Sequence, residues 1–144
     1  MSKPFFVELR DTQNAHWNRS KMGFSELNLT DGQPKVLYIL KAYEGCVQRE
    51  LAELCDVKPS SMTLLLEGLI KKDLVTRESM VNQNGKRVYR IYLTPKGHGI
   101  ADELYELMDT IEEECFRGIS EDEKKLLLSL LARVKENLYQ ARRK

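Results

Sequence analysis

The chain has only three cysteines, two histidines and one tryptophan among its 144 residues. Cys46, Cys55 and Cys115 fall at no paired spacing, so neither a disulfide framework nor a zinc site is indicated. His16 and His98 share no compact ligand pattern with a cysteine or carboxylate, and no metal or other cofactor is expected. No apolar run approaches the ~20 residues that a bilayer crossing needs. The start of the chain also has no apolar stretch of the signal-peptide kind, so the expected location is the cytoplasm, with no membrane partner. A phosphate-cradling glycine loop, a nucleophile elbow and a catalytic triad are all missing, which argues against an enzyme. No linker, repeat or low-complexity tract is visible. The length suits one compact domain with a sizeable core.

Charge is present in quantity but unevenly placed. The formal net charge is +1. Residues 101–123 nevertheless carry one Arg against ten acids, while residues 71–96 carry seven bases against two acids. A nearly neutral chain can therefore present one basic face to a polyanion. The acidic run, including Glu112, Glu113 and Glu114, reads as a solvated helix face.

Periodicity divides the chain into six helices and a ribbon. A first helix is expected from Phe5 to about Met22, carrying Leu9, His16 and Trp17, with Phe24 nearby. Thr30 and Gln33 form a capping-box pair before a second helix, whose face would be Val36, Leu40 and Tyr43 and whose end is Gly45. A short third helix, 48–55, has Leu51, Leu54 and Cys55 at helical spacing and begins after Val47, a weak cap. The turn Asp56-Val57-Lys58 leads into a fourth helix at Pro59. Its expected inward stripe is Met62, Leu65, Leu66, Leu69 and Ile70, with Ser60, Ser61, Thr63, Leu64, Glu67, Gly68 and Lys71 outside. An outward Leu64 beside hydroxyls suits a thymine methyl, or else wraps onto the next element.

Beyond Arg77 the pattern changes to strand. Tyr89, Ile91 and Leu93 alternate with Val88, Arg90 and Tyr92. Asn84 and Gly85 supply a positive-φ pair for the tip, beside Lys86 and Arg87. A short helix, a turn, a second helix and a basic ribbon are, in that order, the parts of a winged helix-turn-helix DNA reader. Two amphipathic helices follow. Ile100, Leu104, Leu107, Ile111 and Cys115 mark the first, while a Ser120–Glu123 capping box opens the second, with Leu127, Leu130, Leu131, Val134 and Leu138 on one face. So much extra apolar helix is most simply buried against a second copy, an intramolecular helical subdomain being the alternative.

The chain resembles the MarR (multiple antibiotic resistance regulator) family of bacterial transcription factors over nearly its whole length. The resemblance rests on Leu29-Thr30 with Gln33, Glu50-Leu51-Ala52, Pro59 through Thr63, Leu74-Val75 with Arg77, Arg87, Leu93-Thr94 with Gly97, and Gly118-Ile119-Ser120 with Glu123 and Leu126. Leu64 and Gly68 depart from it where relatives often carry Arg. Gly85 departs from it where a wing aspartate is usual, and Asp56 and Asp73 stand for frequent turn glycines.

The fold implied is mainly α (α+β winged helix), with six helices and a two- to three-stranded wing, dimerised through its N- and C-terminal helices. Residues 1–144 would be a single domain, with 30–97 reading DNA and 1–29 and 98–144 dimerising. The resemblance implies a homodimer on a near-palindromic double-stranded operator, most simply a repressor released by a small-molecule effector. Lys58, Ser60, Ser61, Thr63, Leu64, Lys86, Arg87 and Arg90 are the expected DNA-binding residues, and His16 and Trp17 the expected effector-lining ones. The competing readings are a thiol-based redox sensor of the same fold, with Cys46 as its best cysteine, and a winged-helix module that docks protein rather than DNA.

Overall fold

The computed structural model describes residues 3–142. Met1, Ser2, Arg143 and Lys144, which the expected domain includes, lie outside the described residues. In chain order the elements are α1 (Phe5–Glu26), α2 (Gln33–Ala42), α3 (Gln48–Leu54), α4 (Pro59–Lys71), β1 (Val75–Val81), β2 (Arg87–Leu93), α5 (Pro95–Cys115) and α6 (Glu121–Arg142). Backbone packing divides them into one unit ending at Met108 and a second beginning at Asp109.

In the first unit the core is built where α2, α3 and α4 meet the root of the ribbon. Val36, Leu37 and Leu40 of α2, Leu51, Ala52 and Cys55 from α3 and its end, and Met62, Leu66 and Leu69 of α4 are all buried. Val75, Ile91 and Leu93 close it from the ribbon, and Ala101 and Leu104 from α5. Three expected core positions lie elsewhere: Tyr43, Leu54 and Ile70 are exposed. Helix α2 ends at Ala42, so Tyr43 no longer follows helical spacing. In α3 the buried face is centred between Leu51 and Ala52, which leaves Leu54 on its rim.

Helix α1 has no apolar face of its own: its buried residues are Ser20 and Gly23. It runs one turn further than periodicity suggested and takes in Phe24. The capping box before α2 forms by half. The Thr30 N–H donates to the Gln33 side-chain oxygen at 3.1 Å. The Gln33 N–H, however, donates to the Thr30 carbonyl rather than to its hydroxyl.

Sharp turns separate the elements. Asp31, Asp56 and Asp73 take φ values of 50°, 54° and 61°, and Asn28 takes 57°. These are short polar residues, the non-glycine types that best tolerate the left-handed region. Strands β1 and β2 pair antiparallel, with Val75 opposite Leu93 and Val81 opposite Arg87. Val47 adds an isolated bridge to Arg90, so the wing is a two-stranded sheet with a one-residue third edge.

The second unit contains the end of α5 and all of α6. The expected Ser120 capping box is complete here. The Ser120 N–H donates to the Glu123 carboxylate at 2.9 Å, and the Glu123 N–H to the Ser120 hydroxyl at 3.1 Å. Those hydrogen bonds, the one from the Ser120 backbone first, hold the Glu123 carboxyl below its ordinary range. Among the described residues α6 has none that is buried.

Candidate nucleic-acid interface

Helix α4 is positioned by its apolar stripe and presents the opposite face to solvent. Lys58 is its N-cap in extended conformation, Pro59 sits in the first turn, and no side chain caps it. The free N–H groups at Ser60 and Ser61 are thus available to an anion, with both hydroxyls beside them. Lys58, Ser60 and Ser61 are exposed. Leu64 points outward and is 70% exposed, more than any other large apolar side chain among the described residues.

The wing tip is shaped by Asn82 rather than by a two-residue turn. The Asn82 side-chain oxygen accepts from the N–H groups of Asn84 at 2.9 Å and Lys86 at 3.0 Å. The Gly85 N–H donates to the Asn82 carbonyl. Gly85 alone takes a positive φ, 77°, so the expected Asn84-Gly85 positive pair is replaced by a longer loop with a single left-handed residue. Nothing lies within 4 Å of where a Gly85 Cβ would be, so the glycine serves backbone conformation and not close approach.

Beyond this tip the ribbon's two faces do different things. The Arg87 guanidinium donates to the Ser79 hydroxyl at 2.6 Å, across the ladder. Arg77 stacks over the Tyr89 ring at 4.9 Å. A groove runs between this ribbon and the helix-turn-helix, lined by Gln48, Arg49, Pro59, Thr63, Lys86 and Arg87 among others. It brings together three expected residues, Thr63, Lys86 and Arg87, and it has three cations and no carboxylate.

Arg90 does not join them. Its guanidinium donates to the Gly45 carbonyl at 2.8 Å and reaches the Met80 sulfur, also at 2.8 Å. It lines a separate groove that also contains Glu50 and Glu53. Arg90 therefore ties the wing to the turn before α3. Gln48, Arg49 and Asn82 are the groove residues that sequence reasoning left out. Gln48 and Arg49 adjoin Val47, which the fold bridges to the wing, and Asn82 stands at the wing's tip.

His16 and Trp17 lie on a cleft of about 630 Å³ with Phe24, Pro34, Tyr38, Ile39 and Met108. Trp17 meets Phe24 edge-on at 6.4 Å. Of the cysteines, Cys115 is exposed, Cys46 half-buried and Cys55 buried. Burial pushes the Cys46 and Cys55 thiols up, Glu50 adding to the effect at Cys46, so the reactive thiolate is disfavoured at both. Among the described residues no His, Cys, Asp or Glu cluster could hold a metal ion, and no helix is long and apolar enough to cross a membrane.

A helix-turn-helix followed by a hairpin with a cationic groove between them defines a winged helix-turn-helix protein. Comparison with known proteins narrows the class. The MarR family model matches residues 29–84. YybA of Bacillus subtilis (strain 168), an uncharacterised HTH-type transcriptional regulator, is 26% identical over 83% of this chain and 78% of its own length. A MarR-family transcriptional regulator from Silicibacter pomeroyi superposes with a TM-score of 0.73 at 26% identity, covering 92% of this chain and 89% of that one. MarR itself superposes with a TM-score of 0.76 at 26% identity, covering 98% and 95%. The chain is thus similar to MarR-family and HTH-type transcriptional regulators over most of its length, with the MarR family model itself matching the segment 29–84.

Proposed function

We propose that this protein is a homodimeric, sequence-specific reader of a near-palindromic double-stranded operator, and that it represses transcription until a small-molecule effector releases it. The observation that carries the reading is the groove in which Pro59 and Thr63 of α4 face Lys86 and Arg87 of the wing without a carboxylate among its lining residues. Phosphate would be held at the uncapped start of α4 by Lys58, Ser60 and Ser61, while the wing cations reach the backbone or a narrow minor groove. In this reading residues 1–144 act as one domain, with 30–97 on DNA and 1–29 and 98–144 forming the dimer. The exposed Phe5, Phe6 and Leu9 of α1 and the exposed leucines of α6 support the dimer, since such surface in a soluble chain marks an interface.

The test is operator binding across a salt series, using fragments selected from the host genome. Replacing Arg87 by Ala is expected to weaken binding and to reduce the salt slope by ~1 per lost phosphate contact. An unchanged slope would remove the wing from the contact surface. Absence of any specific shift at low salt would favour a protein-docking module instead.

The cleft holding His16 and Trp17 is of the size small ligands occupy, and its aromatic lining suits an apolar or aromatic effector. Such a ligand needs only ~1–3 kcal/mol of preference for the non-binding geometry to release DNA. Trp17 is the sole tryptophan. An effector that lowers operator affinity is therefore expected to change the intrinsic tryptophan emission, and Trp17→Phe to abolish that signal.

A further inference from the structure

The recognition helix is short of the side chains that usually read bases. From Pro59 to Ile70 it contains no Arg, Lys, Asn or Gln. The bidentate Arg or Lys contact to guanine and the Asn or Gln contact to adenine are therefore both unavailable along the helix before Lys71, its last residue. What it offers on its outward side is hydroxyls, the Glu67 carboxylate, and the apolar atoms of Thr63 and Leu64.

The Thr63 hydroxyl is already engaged. It donates to the Pro59 carbonyl at 3.2 Å and accepts from the Gln48 side-chain amide at 3.1 Å. The other end of that amide, the Gln48 oxygen, is buried with no hydrogen-bond partner among the described residues. Exchanging the amide's two ends would only orphan its N–H groups, and the hydroxyl would still be engaged by Gln48. With its proton given to Pro59 and one acceptor site taken by Gln48, the Thr63 hydroxyl has no hydrogen left to donate to a base, and its methyl is the apolar group the residue can offer. Next to it stands the exposed Leu64.

Resting on the proposed DNA-binding reading, we infer that this protein recognises its operator mainly through thymine 5-methyl groups in the major groove, read by the Thr63 methyl and Leu64, with Gln48 as the residue that positions Thr63. Of the groups a base pair displays there, the thymine methyl is the one that apolar side chains recognise. The Gln48 hydrogen bond fixes the threonine rotamer before DNA arrives, so the contact forms without further ordering of that side chain.

The experiment uses the full-length protein and an operator fragment selected from genomic DNA, in which thymines are replaced one at a time by deoxyuridine, which lacks only the methyl. At the contacted positions each replacement is expected to weaken binding about fourfold, and symmetric replacement in both half-sites roughly fifteenfold. Leu64→Ala and Thr63→Ser should each bring the thymine-to-uridine ratio close to one at a contacted position, whereas Thr63→Val, which keeps the methyl, should retain it. Gln48→Ala should lower the ratio at the position Thr63 reads and leave the salt slope unchanged. An operator bound equally well with every thymine replaced would overturn the inference, as would a uridine penalty that persists undiminished in the Thr63→Ser, Leu64→Ala double variant. If no genomic fragment is bound at all, the DNA-binding reading itself fails, and this inference with it.

Discussion

A variant carrying Leu127→Lys and Leu131→Lys is expected to run as a monomer and to lose operator affinity by roughly 10²-fold or more. Helix α6 exposes Leu127, Leu130, Leu131 and Leu138 at between 40% and 58% of their surface, and they fall on one helical face. Burying such a leucine against a partner contributes about 1.5–3 kcal/mol, and a pair of lysines on that face also brings four charges together across a two-fold axis. Two half-sites bound through a dimer gain affinity from effective concentration, an advantage of ~10²–10⁴ that a monomer forfeits. The helix itself should survive, because its start is secured independently by the Ser120–Glu123 box and by Glu121 and Asp122 in the first turn. Ser129→Lys places the same charge on the opposite side of α6 and is the control expected to stay dimeric. Sedimentation at micromolar concentration decides the matter: a double-lysine variant that remains dimeric would exclude α6 from the interface.

That face of α6 was legible in the sequence because its leucines recur at helical spacing over several turns. The ends and rims of shorter elements were less so. Periodicity names a direction on a helix but not the width of the buried sector. In a seven-residue helix such as α3, Ala52 and Leu54 flank Leu51 on opposite sides, and only the neighbouring α4 decides that the small residue goes inward. The same arbitration left Ile70 outside and brought Leu37 in. The left-handed turns at Asp56 and Asp73, by contrast, were expected through the family resemblance, which usually has glycine at those positions.

The site divides along similar lines. The uncapped α4 start, the outward Leu64 and the basic wing tip follow from local sequence. Arg90 does not, because a basic residue in a ribbon reads as a phosphate contact until the chain's return at Gly45 is known. Its guanidinium meets a carbonyl lying 45 residues earlier. Gln48 is hidden for the same reason: its partner Thr63 lies 15 residues on. Side chains that act on solvent were legible, while those that act on another element required the tertiary fold.

Gly97→Ala is expected to be among the most destabilising single substitutions in the chain, although it exchanges one small residue for a better helix former. Gly97 lies in the first turn of α5, where its N–H donates to the Thr94 hydroxyl at 2.8 Å. The same hydroxyl donates to the Asp73 carbonyl at 2.6 Å, and the Thr94 N–H donates to the Leu74 carbonyl at 3.0 Å. This junction locks the end of α4 to the start of α5 and closes the root of the wing. A Cβ on Gly97 would lie 1.9 Å from the Leu74 carbonyl oxygen and 2.9 Å from its carbon. Both are backbone atoms that no rotamer change can move. Relief would require the two segments to part and the Thr94–Leu74 hydrogen bond to stretch, at a cost of about 3 kcal/mol or more. Two residues on, Gly99 has nothing within 4 Å of its Cβ position, and Gly99→Ala is expected to stabilise by ~0.5–1 kcal/mol through helix propensity alone. Thermal melts at fixed protein concentration should therefore move in opposite directions, down by on the order of 10 °C for Gly97→Ala and up by a few degrees for Gly99→Ala. A Gly97→Ala protein that melts with its parent would show that α5 does not approach Leu74 this closely, and with that the account of how the wing is held to the core would have to be rebuilt.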